Sequence, residues 1–342
     1  MTESRLTCLR RKFFRPKLLA VLGLLGGTIG LWYYFNDEPV QVLHDEFALV
    51  DTAGNDGHAR TDGTVESGQN VGETIPVSDG VTDCEDNAEP SVATSTEELI
   101  PDRLEGLQAL TWNLRLLEIG QKRLAETPGY AATFCRQERI DGQMLPAETM
   151  QLKIRHEPFS VYMKWIVGDR GREVLYVEGK NDGKLLMHYG GWKARFLPCF
   201  EIEPHGSLAL RESRYAITRV GLLKLASKLI DDRRKDLINK ARMNCQMLSG
   251  QKFNDRICYY FEMEYDDQDS NGEYRRSESF IDSEFSLPVA IKNYGWPDET
   301  TDTAKIDELT LVEHYRFTEI EMAQDTSDTD FDSQNAAYAF QK

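Results

Sequence analysis

From residue 104 onward the apolar positions fall into two alternating periods. Leu104, Leu107, Leu110, Leu114, Leu117 and Leu124 recur at near-helical spacing. Pro101-Asp102 followed by Glu105 resembles a capping box, and Thr127-Pro128-Gly129 ends the helix. The period then changes to two. Strands are predicted over 130–140, 147–156, 159–167, 172–179 and 184–189, with Asp141-Gly142 as a hairpin turn. Within 161–167 one face carries Val161, Met163, Trp165 and Val167, and the other mixes Tyr162, Lys164 and Ile166. The glycine-bearing turns at 168–171 and 181–183 suit antiparallel neighbours and leave no room for crossover helices. A second helix is predicted over 218–240, with Leu222, Ala226, Leu229, Ile230, Leu237 and Ile238 as its apolar face. Strands resume at 241–248, 256–265, 274–283, 287–295 and 308–321. This order predicts an α+β domain: a strongly curved antiparallel sheet, an incomplete barrel, covered by two or more helices.

The stretch before residue 101 has a different texture. Arg10, Arg11, Lys12, Arg15 and Lys17 precede an uncharged apolar run over 18–35 that ends in Trp32-Tyr33-Tyr34-Phe35. At about 1.5 Å per residue the run spans roughly 27 Å, close to the hydrocarbon thickness of a bilayer. Cations before the run and aromatic rings at its end predict a transmembrane signal anchor. Residues 1–17 would form a basic cytoplasmic tip, and the chain beyond the anchor would lie outside the inner membrane, in the periplasm. No small-residue cleavage site follows the run, which favours an uncleaved anchor over the alternative, a cleaved signal peptide. Residues 36–100 show neither period and are rich in Asp, Glu, Gly, Ser and Thr, which predicts an acidic disordered tether.

Charge sharpens this division. The 342-residue chain has a formal net charge of −17, but 1–35 carry six cations and one acid while 36–103 carry seventeen acids and two cations. The rest, 104–342, is only mildly acidic. Duplex binding wants clustered Lys and Arg, so nucleic acid is excluded as a partner.

Chemistry-bearing motifs are sparse. No His-Glu-x-x-His, Gly-x-Ser-x-Gly or Cys-x-x-Cys occurs, so no catalytic residue, metal site or cofactor is assigned. Asp267-x-Asp269-x-Asn271-Gly272 with Glu278 matches the spacing of a calcium loop. Its flanks, however, alternate with period two where that loop requires helices, so a polar hairpin tip is expected. Export would permit disulfides. Cys245 and Cys258 are symmetric about Gln251-Lys252 and would face each other if the hairpin turned there; Cys135–Cys199 is a further pairing.

Three stretches carry a family resemblance. Gly171-Arg-Glu-Val-Leu-Tyr-Val-Glu-Gly-Lys-Asn-Asp-Gly-Lys-Leu185, Leu287-Pro-Val-Ala-Ile-Lys-Asn-Tyr-Gly-Trp-Pro297, and Asp330-Phe-Asp-Ser-Gln-Asn335 with Tyr338-Ala-Phe340 resemble the bacterial domain-of-unknown-function family numbered 1571. Asn335-Ala336 departs from an expected Asn-Pro. The resemblance covers roughly 105–340 and brings no catalytic residues with it. The helix–sheet–helix–sheet order is more distantly similar to the LolA/LolB-like lipoprotein-localisation superfamily, whose incomplete barrel encloses acyl chains. That similarity implies a non-enzymatic domain binding a lipid or lipoprotein acyl chain. The residues that would line such a cavity are Met163, Trp165, Tyr176, Tyr259, Phe261 and Met263. The alternative is an envelope protein–protein module, with an unidentified partner, in which the same residues form a filled core.

Overall fold

The computed structural model describes residues 101–323 and 326–340. The basic tip, the anchor over 18–35 and the tether lie outside the described residues. Among the described residues no helix is long and apolar enough to cross a membrane.

Among the described residues, thirteen strands and three α-helices follow in chain order. They are β1 (Arg103–Glu105), α1 (Gly106–Ala125), β2 (Gly129–Ile140), β3 (Gln143–Met144), β4 (Glu148–Arg155), β5 (Ser160–Val167), β6 (Glu173–Val177), β7 (Leu185–His188) and β8 (Phe200–Ile202), then α2 (Leu222–Asn239), β9 (Met243–Phe253), β10 (Arg256–Tyr265), β11 (Arg276–Asp282), β12 (Pro288–Tyr294), α3 (Ile306–Thr310) and β13 (Leu311–Ala323). All strands join one antiparallel sheet in the order β1-β9-β10-β11-β12-β13-β2-β4-β5-β6-β7-β8, with β3 paired to β2. The order begins at β1 and stops at β8 without closing, so the barrel is incomplete. It reads as two local meanders, β2–β8 and β9–β13, whose shared ladder is β2 against β13.

Both long helices cover one face. α1 buries Ala109, Leu110, Leu116, Leu117 and Leu124, and α2 buries Leu222, Leu225, Ala226, Leu229 and Ile230. Against them pack Met150, Leu152 and Ile154 from β4, Met247 from β9 and Ile291 from β12 in one continuous core. Helix α1 approaches the chain closely at Gly120, where a Cβ would lie 2.0 Å from the Ser286 carbonyl oxygen; only glycine fits. The helices also meet through polar contacts, Gln121 Nε2 donating to Ser227 Oγ at 2.8 Å and Arg234 pairing with Glu118 at 2.7 Å.

The other face carries two smaller clusters. Phe253, Cys258, Tyr260 and Phe280 form one. In the second, the C-terminal segment lays Phe331, Tyr338 and Phe340 over Tyr162, Leu175 and Val177. Tyr338 stacks on Tyr162 at 4.0 Å, and Asp328 pairs with the buried Arg155 at 2.7 Å. The terminal signature thus acts as a cover for the outer face of β5 and β6.

Several elements differ from the sequence reading. Residues 103–105 are a strand, not the first turn of a helix. Arg103 to Glu105 pair with Gln246 to Leu248, the Asp102 carbonyl accepts from Ser249 N–H, and Gly106 turns the chain at φ +57°. The proposed capping box therefore does not form, and Glu105 caps without a side-chain bond. β1, β3 and β8, two or three residues each, are too short to show a period. Helix α2 starts four residues later than predicted, after Gly221 at φ +107°, where a Cβ would meet Ile154 Cδ1 at 2.3 Å.

The disulfide expectations are also corrected. The turn between β9 and β10 is at Asn254-Asp255, with Asn254 at φ +50°. Cys245 therefore faces Met263, Cys258 faces Gln251, and the two thiols belong to clusters on opposite faces of the sheet. Cys135, Cys199, Cys245 and Cys258 are all free. The acidic stretch after β10 is a hairpin loop, as its flanks implied. Asp267 accepts from Ser270 N–H at 2.9 Å and pairs with Arg242, and Asn271 accepts from Tyr274 N–H at 2.9 Å.

Candidate functional site

The six residues expected to line an acyl-chain cavity share one face of the sheet. Met163 and Trp165 on β5, Tyr176 on β6, and Tyr259, Phe261 and Met263 on β10 all belong to the main core beneath the helices. Phe261 is completely buried and Trp165 is 3% exposed.

A cavity lies elsewhere, between α2 and the β2–β13 seam, with a volume of about 470 Å³. Ligand sites commonly fall between about 300 and 1,000 Å³. Three cross-strand rungs face it. Phe134 opposes Phe317, Arg136 opposes Tyr315, and Glu138 opposes Glu313. The surface thus passes from apolar to charged along one pair of strands. At the apolar end the Phe134 and Phe317 rings stack at 4.6 Å, with Leu225 and Val220 nearby in the lining. The helix side is charged. Lys224, Lys228 and Lys235 are accompanied by Asp231 and Asp232, and Lys228 pairs with Asp232 at 2.8 Å.

The charged end holds two acids directly opposite each other, an arrangement that is unfavourable without compensation. Glu313 is fully buried and Glu138 is 4% exposed. Glu313 accepts from Tyr274 Oη at 2.9 Å and Asn293 Nδ2 at 2.7 Å on one oxygen, and from Arg214 Nε at 3.1 Å on the other. Glu138 accepts from the Tyr315 hydroxyl and from Arg214 N–H at 3.2 Å. The Tyr315 hydroxyl lies between the acids, 3.3 Å from Glu313 Oε2. Burial and the two carboxylates push Tyr315 well above its ordinary value, so it remains a donor. Burial opposes the charge on Arg136, but Glu148 and Glu138 hold its pKa above the ordinary value. Arg214 is held up in the same way against Glu313. Every oxygen of the pair has a donor, so neither buried acid is left with an unmet acceptor.

Beside the cavity, Gly221 precedes α2, and the Leu222 N–H donates to the buried Tyr130 Oη at 2.7 Å. His156 packs its ring against Tyr130 at 6.0 Å and donates from Nδ1 to the Thr127 carbonyl at 2.9 Å. Burial, aided by the Lys224 charge, lowers the pKa of His156 below its ordinary value. The unfolded chain therefore binds this proton more tightly than the folded one. The contribution of His156 to stability is present above the unfolded value near 6.5 and is lost as pH falls through the folded value. Urea titrations between pH 7 and 5 should show stability falling with pH, and His156→Gln should flatten that slope. An unchanged slope in the variant would remove His156 from the account.

The cavity residues Phe134, Glu138, Glu313, Tyr315 and Phe317 were not picked out by the sequence reading. Both strands alternate correctly, but their pairing joins positions about 180 residues apart and leaves no local signal. Among the described residues no group of three or more His, Cys, Asp or Glu is placed to hold a metal.

Fold and cavity together define a class: an α+β domain with an open antiparallel sheet, helices on one face, and an amphipathic cavity under the second helix. The chain belongs to the family described as a protein of unknown function, DUF1571, which it matches over residues 127–340. No curated protein matches it. Among solved structures, the lipoprotein LppX of Mycobacterium tuberculosis is 11% identical, with 64% of this chain and 100% of that one covered and a TM-score of 0.37. A LolA superfamily protein from Nitrosomonas europaea is 9% identical, covering 64% and 96%, with a TM-score of 0.27. A DUF1329 family protein from Desulfovibrio piger is 10% identical, covering 66% and 97%, with a TM-score of 0.31.

Proposed function

We propose that this domain binds an amphiphile, a lipid or the acylated end of a lipoprotein, and does not transform it. The observation that carries this reading is the graded cavity: stacked Phe134 and Phe317 at one end, and at the other the paired charges, with Lys228 over the Tyr274 ring. An acyl chain laid on the apolar end leaves water at about 0.8 kcal/mol per methylene, and its head group stays among the charges. The carboxylates are already fully bonded, which supports binding without catalysis. The basic tip and apolar run over 18–35 support an inner-membrane anchor with the domain on the periplasmic side. Such a tethered domain suits a local acceptor or sensor better than a long-range carrier.

A second reading, a ligand-free interaction module, is favoured by the packing of Met163, Trp165, Phe261 and Met263 into solid core. Photo-crosslinking separates the two. The full chain in native membranes is exposed to a diazirine-bearing fatty acid, and adducts are mapped by mass spectrometry. Adducts on peptides containing Phe134 and Phe317 are expected, reduced at least about tenfold (1.4 kcal/mol) by Val220→Trp, which fills the cavity. Adducts confined to residues 18–35 would overturn the lipid reading and leave the module.

A further inference from the structure

The segment between β7 and the edge strand β8 reads Tyr189-Gly-Gly-Trp-Lys-Ala-Arg-Phe-Leu-Pro-Cys-Phe200. It contains Lys193 and Arg195 and no acid, in a chain whose formal net charge is −17. Trp192 is 67% exposed and Phe196 is 74% exposed, their rings 6.2 Å apart, with Leu197 also exposed. Large aromatic side chains are rarely left so open, because each would gain by leaving water.

The base of this loop is firmly held. Gly191 N–H donates to the Arg170 carbonyl at 3.0 Å. A Cβ at Gly190 would lie 2.4 Å from that same oxygen, so the loop is seated directly against the turn at 168–171. This contact brings the exposed Arg170 beside the loop. Asp169, in the same turn, faces Lys193 and Arg172, with Glu212 and Glu148 also near it; Arg172 pairs with Glu212 at 2.7 Å and Arg136 pairs with Glu148 at 2.8 Å. Arg170 and Arg195 have no ion pair among the described residues. The result is an anchored base, two adjacent exposed rings and a local excess of positive charge.

We infer that the loop over 189–200 is a membrane-contacting element that seats Trp192 and Phe196 in the interface of a bilayer containing anionic lipid. Amphipathic and aromatic rings settle at the head-group level, and neighbouring arginines are drawn to anionic head groups. An acidic protein surface would attract the cations equally, but would leave both rings without an apolar medium. The contact is separate from the cavity under α2 and does not depend on what that cavity holds.

The test uses the full chain reconstituted in phosphatidylcholine–phosphatidylglycerol vesicles, with or without brominated acyl chains. Subtracting the fluorescence of Trp192→Phe from that of the wild type isolates Trp192 from the other four tryptophans. The difference spectrum should be blue-shifted, largely lost in brominated vesicles and insensitive to aqueous iodide. Arg170→Glu combined with Arg195→Glu should return it to iodide. A difference spectrum that ignores brominated lipid would overturn the proposal, whether iodide quenches it (a loop in water) or not (a loop covered by protein). Equal quenching on phosphatidylcholine alone would overturn the requirement for anionic lipid.

Discussion

Glu313→Ala should destabilise the domain by about 3–5 kcal/mol, the usual cost of leaving a buried charge without its partner. Glu313 is fully buried, and its two oxygens receive Tyr274, Asn293 and Arg214. Removing it leaves the Arg214 guanidinium with only its pair to Glu273 at 3.0 Å, and leaves the Asn293 amide and the Tyr274 hydroxyl short of an acceptor. Glu313→Gln keeps the shape and one acceptor oxygen, so it should cost less than alanine. Urea denaturation of both variants measures the difference. A loss under about 1 kcal/mol for the alanine variant would mean that cavity water already solvates Arg214, and that the network is not closed.

Phe261→Ala should cost a similar amount, about 3–5 kcal/mol, which for a domain of this size lowers the melting temperature by roughly 6–20 °C. The ring is completely buried on β10, in the same cluster as Met247 and Met263. This variant also separates two roles for the six aromatic and methionine residues. A ring in solid core leaves a hole when it is truncated, and the full cavity penalty applies. A ring lining a ligand chamber merely enlarges the chamber, so the loss should then stay near the transfer cost of the side chain alone, about 1.5–3 kcal/mol. Thermal unfolding with and without added fatty acid distinguishes them, because only the chamber would respond to the acid.

Much of the architecture was legible because most strands are long enough to show their period. The alternation in Val161, Met163 and Trp165, and again in Tyr259, Phe261 and Met263, grouped these side chains on one face, and the structure shows that face to be the one beneath the helices. The Asp141-Gly142 turn and the stop at Thr127-Pro128-Gly129 were local and strong. What failed was either too short or too distant. Leu104 fits the helical spacing of the leucines that follow, yet it sits in a three-residue edge strand because β9 offers its backbone a partner. The Cys245–Cys258 pairing depended on a turn position that Asn254, at a positive φ, moved by three residues. The seam between β2 and β13 depends on chain segments far apart, and the cavity lies on that seam. Glu138 and Glu313 are two acids among many in the sequence, and only the register places them opposite each other.

The seam has one more consequence. Each meander can zip up from its own hairpins, but joining them closes a loop of about 180 residues, the kind of contact that folds slowly and late. A molecule resting on Phe134 and Phe317 would touch one strand from each meander. Its binding energy would then be spent on clasping the two halves together, adding to the stability of the whole domain in proportion to the logarithm of its concentration. Occupancy would be felt as stiffness at the waist of the sheet.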